Sequence, residues 1–356
     1  MANAPTSSAC TEDDPVEDRS EAMANATIRD VAREAAVSVA SVSRVLNGHD
    51  NVSPELRERV AAVAARLGYV PHAGARNLSL SRTGALGVVL PDLHGEFFSE
   101  ILRGMDREAS ARGLHLLLTN MHSDPASGIE ALKAMRGCVD GLVVMAPHVD
   151  ADQLFAHLPP SVPAVLINCA PHHQQRAELH VDNAGGAAAM VAHLVAVGRR
   201  HIVHIAGPDG NIDARERQRG YADAMAQAGL TPRIVAGDFH EESGAQAARA
   251  LLADTAPVDA IFAANDMMAV GALVALRDAE VDVPGRIAIA GFDDIPLARF
   301  VTPSLTTMRI DIAALGMRAV ARLTEMIGGG EDMQVEHTMP QLIVRNTTTL
   351  QNLAQN

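Results

Sequence analysis

At 356 residues, 48% of them apolar, the chain is long enough for two or three domains with substantial cores. Tryptophan is absent and aromatics make up only 3%, so Ala, Val and Leu must carry the packing, which suits α/β layers. No run approaches the ~20 uninterrupted apolar residues of a membrane span, and the acidic N-terminus lacks the apolar stretch of a secretory signal, so a cytoplasmic protein with no membrane partner is expected. The net charge of −14 would argue against nucleic acid if it were evenly spread. Instead residues 26–82 carry +3, residues 1–25 carry −5 and the remainder −12. A small basic module on an acidic body directs one end of the molecule towards phosphates.

Residues 1–25 have no apolar periodicity and read as a disordered acidic tail, with Met23 an alternative start to Met1. Helical patterns begin at Thr27, where Asp30 three residues on completes a capping-box signature and Ile28, Val31, Ala32 and Ala35 repeat at helical spacing. A second start at Ser38 carries Val42, Val45 and Leu46 on one face, and Asn47-Gly48 supplies a stop. Ser53-Pro54-Glu55 opens a third helix with Leu56, Val60, Val63 and Leu67 on one face, ended by Gly68. Helices this short must pack together, and three with a tight turn before the second make a helix-turn-helix over about 26–70. An alanine-rich helical hairpin without a nucleic-acid role is the plain alternative. In a helix-turn-helix, Val39, Ala40 and Arg44 occupy the half of the second helix that meets base edges. Residues 71–83 then form a linker too short to hold a helix alone, and a flexible tether is one reading of it.

From about residue 84 to 350, short Val- and Ile-rich runs alternate with amphipathic segments at 124–135, 184–197, 215–228, 242–253 and 266–280, and a late helix runs from Asp311 to Ile327. That alternation predicts parallel sheets wound in right-handed βαβ units, with too many strands for one sheet, hence two doubly wound subdomains facing a cleft. Residues 351–356 are a short tail, too little for a heptad-repeat tetramerisation bundle.

Enzyme signatures are scarce: no phosphate-binding loop, nucleophile elbow, zinc-protease helix or paired C-x-x-C. Neither a catalytic residue, a cofactor nor a metal site is expected. The three cysteines, Cys10, Cys138 and Cys169, have no paired spacing and read as buried, reduced thiols. Polar residues do recur at the ends of apolar runs, where doubly wound sheets bind ligands: Asp92, Asp182, Asp238, Asn265-Asp266 and Asp293-Asp294. Each alone is an ordinary cap or turn acid, whereas the set should converge on one edge. Phe97, Phe98 and Phe239 can stack on a sugar or base face.

The stretches TIRDVAREAAVSVASVSRVLN and VSPELRERVAAVAARLGYVPHAGARNL resemble the DNA-binding headpiece and hinge of the lactose/galactose repressor (LacI/GalR) family, and the resemblance extends over nearly everything after Ala24. It implies an N-terminal three-helix headpiece and a periplasmic-binding-protein-like core whose chain crosses between subdomains near residues 183, 309 and 340. It implies DNA contacts from Thr27, Ser38, Val39, Ala40, Ser41, Ser43, Arg44 and Asn47. It also implies a hinge helix in which Arg76 and Leu78 enter the minor groove, Leu78 as a wedge. Arg217, before Gly220-Tyr221, falls where the family keeps its effector-gripping arginine, and Asp293 in GFDD matches the aspartate of the opposite wall. With Asp92, Phe97, Phe98, Phe239 and Asn265 these form the expected effector site. The expected function is a homodimeric transcription regulator, a repressor, that binds pseudo-palindromic double-stranded operator DNA under control of a small polar effector. A sugar is the first choice, with a nucleoside or purine as the alternative. A sugar-binding protein without a regulatory role and an effector-independent DNA binder are the competing readings.

Overall fold

A computed structural model describes residues 26–46, 51–69, 82–122, 124–159, 161–173 and 176–349. Outside the described residues lie the acidic tail with Met23 and Cys10, Asn47, the linker positions Arg76 and Leu78, and residues 351–356. The chain divides into two compact units, one ending at residue 81 and the other beginning at residue 82.

The first unit consists of α1 (Ile28–Glu34), α2 (Val39–Leu46) and α3 (Pro54–Arg66). Local chemistry sets the ends of these helices. The Asp30 amide donates to Thr27 Oγ1 at 3.4 Å and the Thr27 amide to Asp30 Oδ2 at 3.0 Å, a reciprocal capping box. Ala36 turns the chain in the left-handed region at φ 52°, and the Ser41 amide then donates to Ser38 Oγ at 3.1 Å to open α2. The Leu56 amide donates to Ser53 Oγ at the start of α3, with Pro54 in the first turn. The faces meet in a core of Val31, Ala32, Ala35, Val42, Val45, Val60, Val63 and Ala64, none larger than valine. Such helices are marginal singly, so this shared core is what holds them.

The second unit is the expected doubly wound α/β assembly. Its first sheet contains β1 (Ala85–Leu90), β2 (His115–Asn120), β3 (Gly141–Met145), β4 (Ala164–Ile167), β5 (Ala177–Val181) and β11 (Val335–Thr338). These are all parallel, in the order β11-β5-β4-β3-β1-β2. Its second sheet is β7-β6-β8-β9, from β6 (Ile202–Ile205), β7 (Arg233–Val235), β8 (Ala260–Ala263) and β9 (Ala288–Ala290), again parallel. An antiparallel pair, β10 (Thr307–Arg309) with β12 (Gln341–Ile343), is tied to that sheet's end through the Asp293–Arg309 bridge. Helices α4 (Glu96–Ala111), α5 (Pro125–Ala134), α6 (Ala151–His157), α7 (Asn183–Ala196), α8 (Ile212–Gln227), α9 (Glu241–Ala253), α10 (Asp266–Asp278) and α11 (Ile312–Ile327) cover the faces. Both faces of β1 are therefore apolar: Leu86, Val88 and Leu90 enter one core cluster and Val89 another. The chain passes between the sheets after β5, between β10 and α11, and between β11 and β12.

Helix pairs approach closely enough to require glycine. A Cβ on Gly104 of α4 would collide with the Ala313 carbonyl of α11, and one on Gly220 of α8 with the Ala184 carbonyl of α7. Four elements escape the sequence reading: the two-turn α6, capped by Asp150; the three-residue β10; β11, whose VEHT has no apolar run; and a 3-10 turn at Pro296–Arg299. The thiol expectation needs one correction. Cys169 is buried, and desolvation pushes its thiol up to about 12, but Cys138 is exposed, because it lies in the turn before β3 and only Val139 after it points inward. Among the described residues no helix is long and apolar enough to cross a membrane.

Candidate DNA-reading helix and effector cleft

In the first unit, α2 buries Val42 and Val45 and thereby turns its opposite side outward. Val39 is 42% exposed, and Ser38, Ala40 and Arg44 are exposed, while Ser41 and Ser43 are half-buried. Ser38 and Ser41 are joined Oγ to Oγ at 2.9 Å, which holds the start of the helix. Thr27, also exposed, is engaged in its own cap, its hydroxyl 2.6 Å from Asp30 Oδ2. Arg33 pairs with Asp30 and Arg66 with Glu34, whereas Arg44 makes no ion pair among the described residues. An exposed guanidinium on a helix face otherwise made of small side chains can enter a major groove and reach guanine O6 and N7 together.

In the second unit, a cleft of about 110 Å³ opens where both parallel sheets present the C-terminal ends of their strands. All seven residues expected there line it: Asp92, Phe97, Phe98, Arg217, Phe239, Asn265 and Asp293. Asp92 and the Phe97-Phe98 pair, edge to face at 5.3 Å, belong to the wall built on β1. The other four belong to the wall built on β6–β9.

Arg217 is the centre of the second wall and only 5% exposed. Its Nε donates to Asn183 Oδ1 at 2.8 Å, one terminal nitrogen donates to the Ala264 carbonyl at 2.6 Å, and its plane lies 3.9 Å over the Phe292 ring. Asp293 Oδ1 stands 3.2 Å from the same guanidinium, yet among the described residues it receives no oriented hydrogen bond. Burial raises the Asp293 carboxyl well above the usual carboxylate range, with Arg217 pulling the other way. The loop that presents it is strained: Asp293 has φ 114° and Asp294 φ 58°, each costing on the order of 1–3 kcal/mol for a residue with a side chain. What holds the strain is Asp294, gripped by Arg309 at 2.6 Å and Arg345 at 2.5 Å.

The sequence reading missed a buried relay beneath the cleft. Asp213, one turn before Arg217 on α8, accepts from Asn183 Nδ2 at 2.9 Å and from Asn168 Nδ2 at 3.3 Å. Asn168 Oδ1 in turn accepts the Val181 amide at 3.0 Å. Asn168 follows β4 and Asp213 belongs to α8, so the relay joins the two walls across the crossover at Asn183. Burial raises the Asp213 carboxyl, with Arg217 opposing. The i, i+4 spacing of Asp213 and Arg217 was its one local signal. The expectation that every strand-end acid converges on the cleft is corrected. Asp182 caps α7 through the Gly185 amide; Asp266 is fully buried against Thr307 Oγ1 and the Ile295 amide; Asp294 serves the loop. None of these three lines the cleft, whereas Asp238 does. Asn265 both lines it and caps α10, its Oδ1 accepting the Met268 amide at 3.0 Å.

Comparison with known proteins agrees with both halves. Residues 27–72 match the bacterial regulatory proteins of the lacI family, and residues 191–348 match the periplasmic binding protein-like domain. The chain is 34% identical to catabolite control protein A of Priestia megaterium, over 84% of this chain and 92% of that protein. It is 36% identical to the ribose operon repressor of Escherichia coli K12, over 85% of this chain and 93% of that one. The chain belongs to the LacI family. Among solved structures, the lac repressor dimer bound to operator and the anti-inducer ONPF superposes with a TM-score of 0.82 at 28% identity, covering 91% of this chain and 99% of that one. As a LacI-family member the chain is a DNA-binding transcription regulator, and a sugar-binding protein without a regulatory role is set aside by its headpiece.

Proposed function

We propose that this LacI-family regulator is a homodimeric repressor that binds pseudo-palindromic operator DNA in the cytoplasm through α2, and that a neutral sugar held in the core cleft sets its operator affinity. Thr27, Ser38, Val39, Ala40, Ser41, Ser43 and Arg44 are assigned to DNA, together with Asn47, Arg76 and Leu78 outside the described residues. Asp92, Phe97, Phe98, Arg217, Phe239, Asn265 and Asp293 are assigned to the effector. No enzymatic role is assigned.

The observation that carries the sugar reading is the Arg217–Asp293 pair, a rigid donor beside a buried carboxylate oxygen lacking an oriented hydrogen bond. A hydroxyl group both donates and accepts, so a polyol can satisfy the carboxylate and the guanidinium together. Four aspartates line the cleft against one arginine, which disfavours a phosphorylated or otherwise anionic effector. The three phenylalanines supply faces for the apolar side of a pyranose or furanose. Dimerisation is supported by β2, an edge strand with Leu117 and Leu118 about two-fifths exposed, and by the dimeric state of the lac repressor structure. A ligand shifts a two-state equilibrium only by its differential affinity for the two states. One bound between the β1 wall and the Arg217 wall has that property, because the relay through Asn168, Asn183 and Asp213 couples those walls.

The test is operator binding on DNA selected in vitro, titrated with neutral pentoses and hexoses, their phosphates, nucleosides and purine bases. A neutral sugar is expected to change operator affinity by roughly 5–150-fold. A response confined to purine bases or nucleosides would replace the sugar reading with that alternative. Indifference to every class would leave an effector-independent binder.

A further inference from the structure

At the mouth of the cleft, the two walls touch through three metal-ligating side chains. His94 leaves the loop after β1, while His240 and Glu241 begin α9 on the opposite wall. His94 Nε2 lies 3.0 Å from Glu241 Oε2, and the His94 and His240 rings approach to 4.6 Å between centroids at a tilt of 44°. Among the described residues this is the only group of three or more His, Cys, Asp or Glu side chains placed to hold a metal ion, its ligand atoms all within 4.8 Å of one another. Two imidazoles facing each other at this distance gain little without a shared cation, since neither ring supplies a hydrogen bond to the other here.

We propose that His94, His240 and Glu241 form a zinc-class metal site that fastens the two walls of the cleft. Two imidazole nitrogens with one carboxylate oxygen are a borderline donor set; magnesium and calcium prefer all-oxygen shells, whereas zinc takes this set readily. Tetrahedral zinc with bonds of about 2.0–2.1 Å places its ligand atoms roughly 3.4 Å apart, so small side-chain rotations complete three positions. The side chains are about half exposed, 49% for His94 and 42% for Glu241, so water fills the fourth. Because His94 comes from one wall and the other two ligands from its opposite, separating the walls breaks the coordination. Zinc therefore favours the closed arrangement, and any effector that closes the same cleft tightens zinc in return by the same factor. The metal site stands on these three side chains alone; only its coupling to the effector rests on the cleft reading above.

The experiment uses the full-length protein, stripped by a chelator and titrated with Zn²⁺ against a chromophoric competitor, with Co²⁺ absorption reporting coordination geometry. One zinc per chain is expected. His94→Ala and His240→Ala, one from each wall, should each weaken binding at least about tenfold, since loss even of groups supporting a ligand costs 10–100-fold. Zinc affinity unchanged in both variants, or no zinc uptake at micromolar concentration by the wild type, would overturn the site. Should zinc bind as described yet leave sugar affinity unaltered in the wild type, the coupling is overturned and the metal site is retained. Sugar affinity measured without zinc tests the cleft reading separately.

Discussion

The headpiece and the core differ in how deeply they bury the polar residues assigned to their partners. In the headpiece, Val39, Ala40 and Arg44 are exposed, and their neighbours Val42 and Val45 do the packing. In the core, the polar groups assigned on the Arg217 wall are nearly sealed, Arg217 5% exposed, Asp293 4% and Asn265 8%, while Asp92 and the three phenylalanines are half-buried. DNA is a surface met from outside, so the reading residues need contribute nothing to folding. A small polar ligand has to be enclosed, and the groups that hold it must be desolvated in advance, which is costly unless they pair with one another. Function and stability should therefore separate in the headpiece and coincide in the core.

The largest effect expected from that contrast is at Asp293. Asp293→Ala leaves Arg217 buried opposite an empty partner position and should lower the unfolding free energy of the core by about 3–5 kcal/mol. Urea unfolding would show it, with Tyr69 reporting the headpiece and Tyr221 the core, the only two tyrosines in the chain. Effector response should vanish in the same variant. A variant of wild-type core stability would break the claim that site and scaffold coincide.

Next comes pH. His204 is fully buried on β6, Nδ1 at 2.9 Å from the Phe262 carbonyl and its ring stacked on Tyr221. Desolvation pushes its pKa down to about 4, against 6.5 ordinarily, and the Phe262 hydrogen bond only partly opposes this. The folded state binds the proton less well than the unfolded one. Its contribution is thus fully present above pH 6.5 and is lost as pH falls towards 4, by roughly 3 kcal/mol. The same linkage runs the other way for the buried Asp213 and Asp293, whose raised carboxyls take up protons in the folded core over this window, so the His204 share is read as the difference between wild type and a variant. Between pH 6.5 and 4, His204→Gln should lack this loss, up to roughly 3 kcal/mol relative to wild type; identical pH profiles would remove His204 from the pH dependence.

The smallest and cleanest effect is at Arg44. Arg44→Ala should cost ~1–3 kcal/mol of base discrimination while leaving headpiece melting unchanged. Competition between operator and scrambled DNA measures the first, and thermal unfolding the second. Full operator preference in the variant would remove Arg44 from the readout; loss of folding would remove the contrast with the core.

Much of the molecule was already legible in short windows of sequence. The capping box at Thr27 and Asp30, the Ser53-Pro54 start, the apolar runs that became strands and the helical spacing of Val31 and Ala35 are interactions within a few residues. The seven cleft residues were also chosen locally, as side chains at or just past strand ends or at a family spacing, and parallel winding carries such positions to one edge whatever lies between them. The relay was not legible, because its bonds join residues 45, 30 and 34 apart along the chain, and nothing near Asn168 announces Asp213. Nor was β11, a polar strand formed only because β5 presents it an open edge. The division among Asp182, Asp266, Asp293 and Asp294 likewise waited for the fold. An aspartate at a strand end looks the same in sequence whether it caps a helix, braces a loop or faces a ligand, and only the neighbours brought in by tertiary packing decide which.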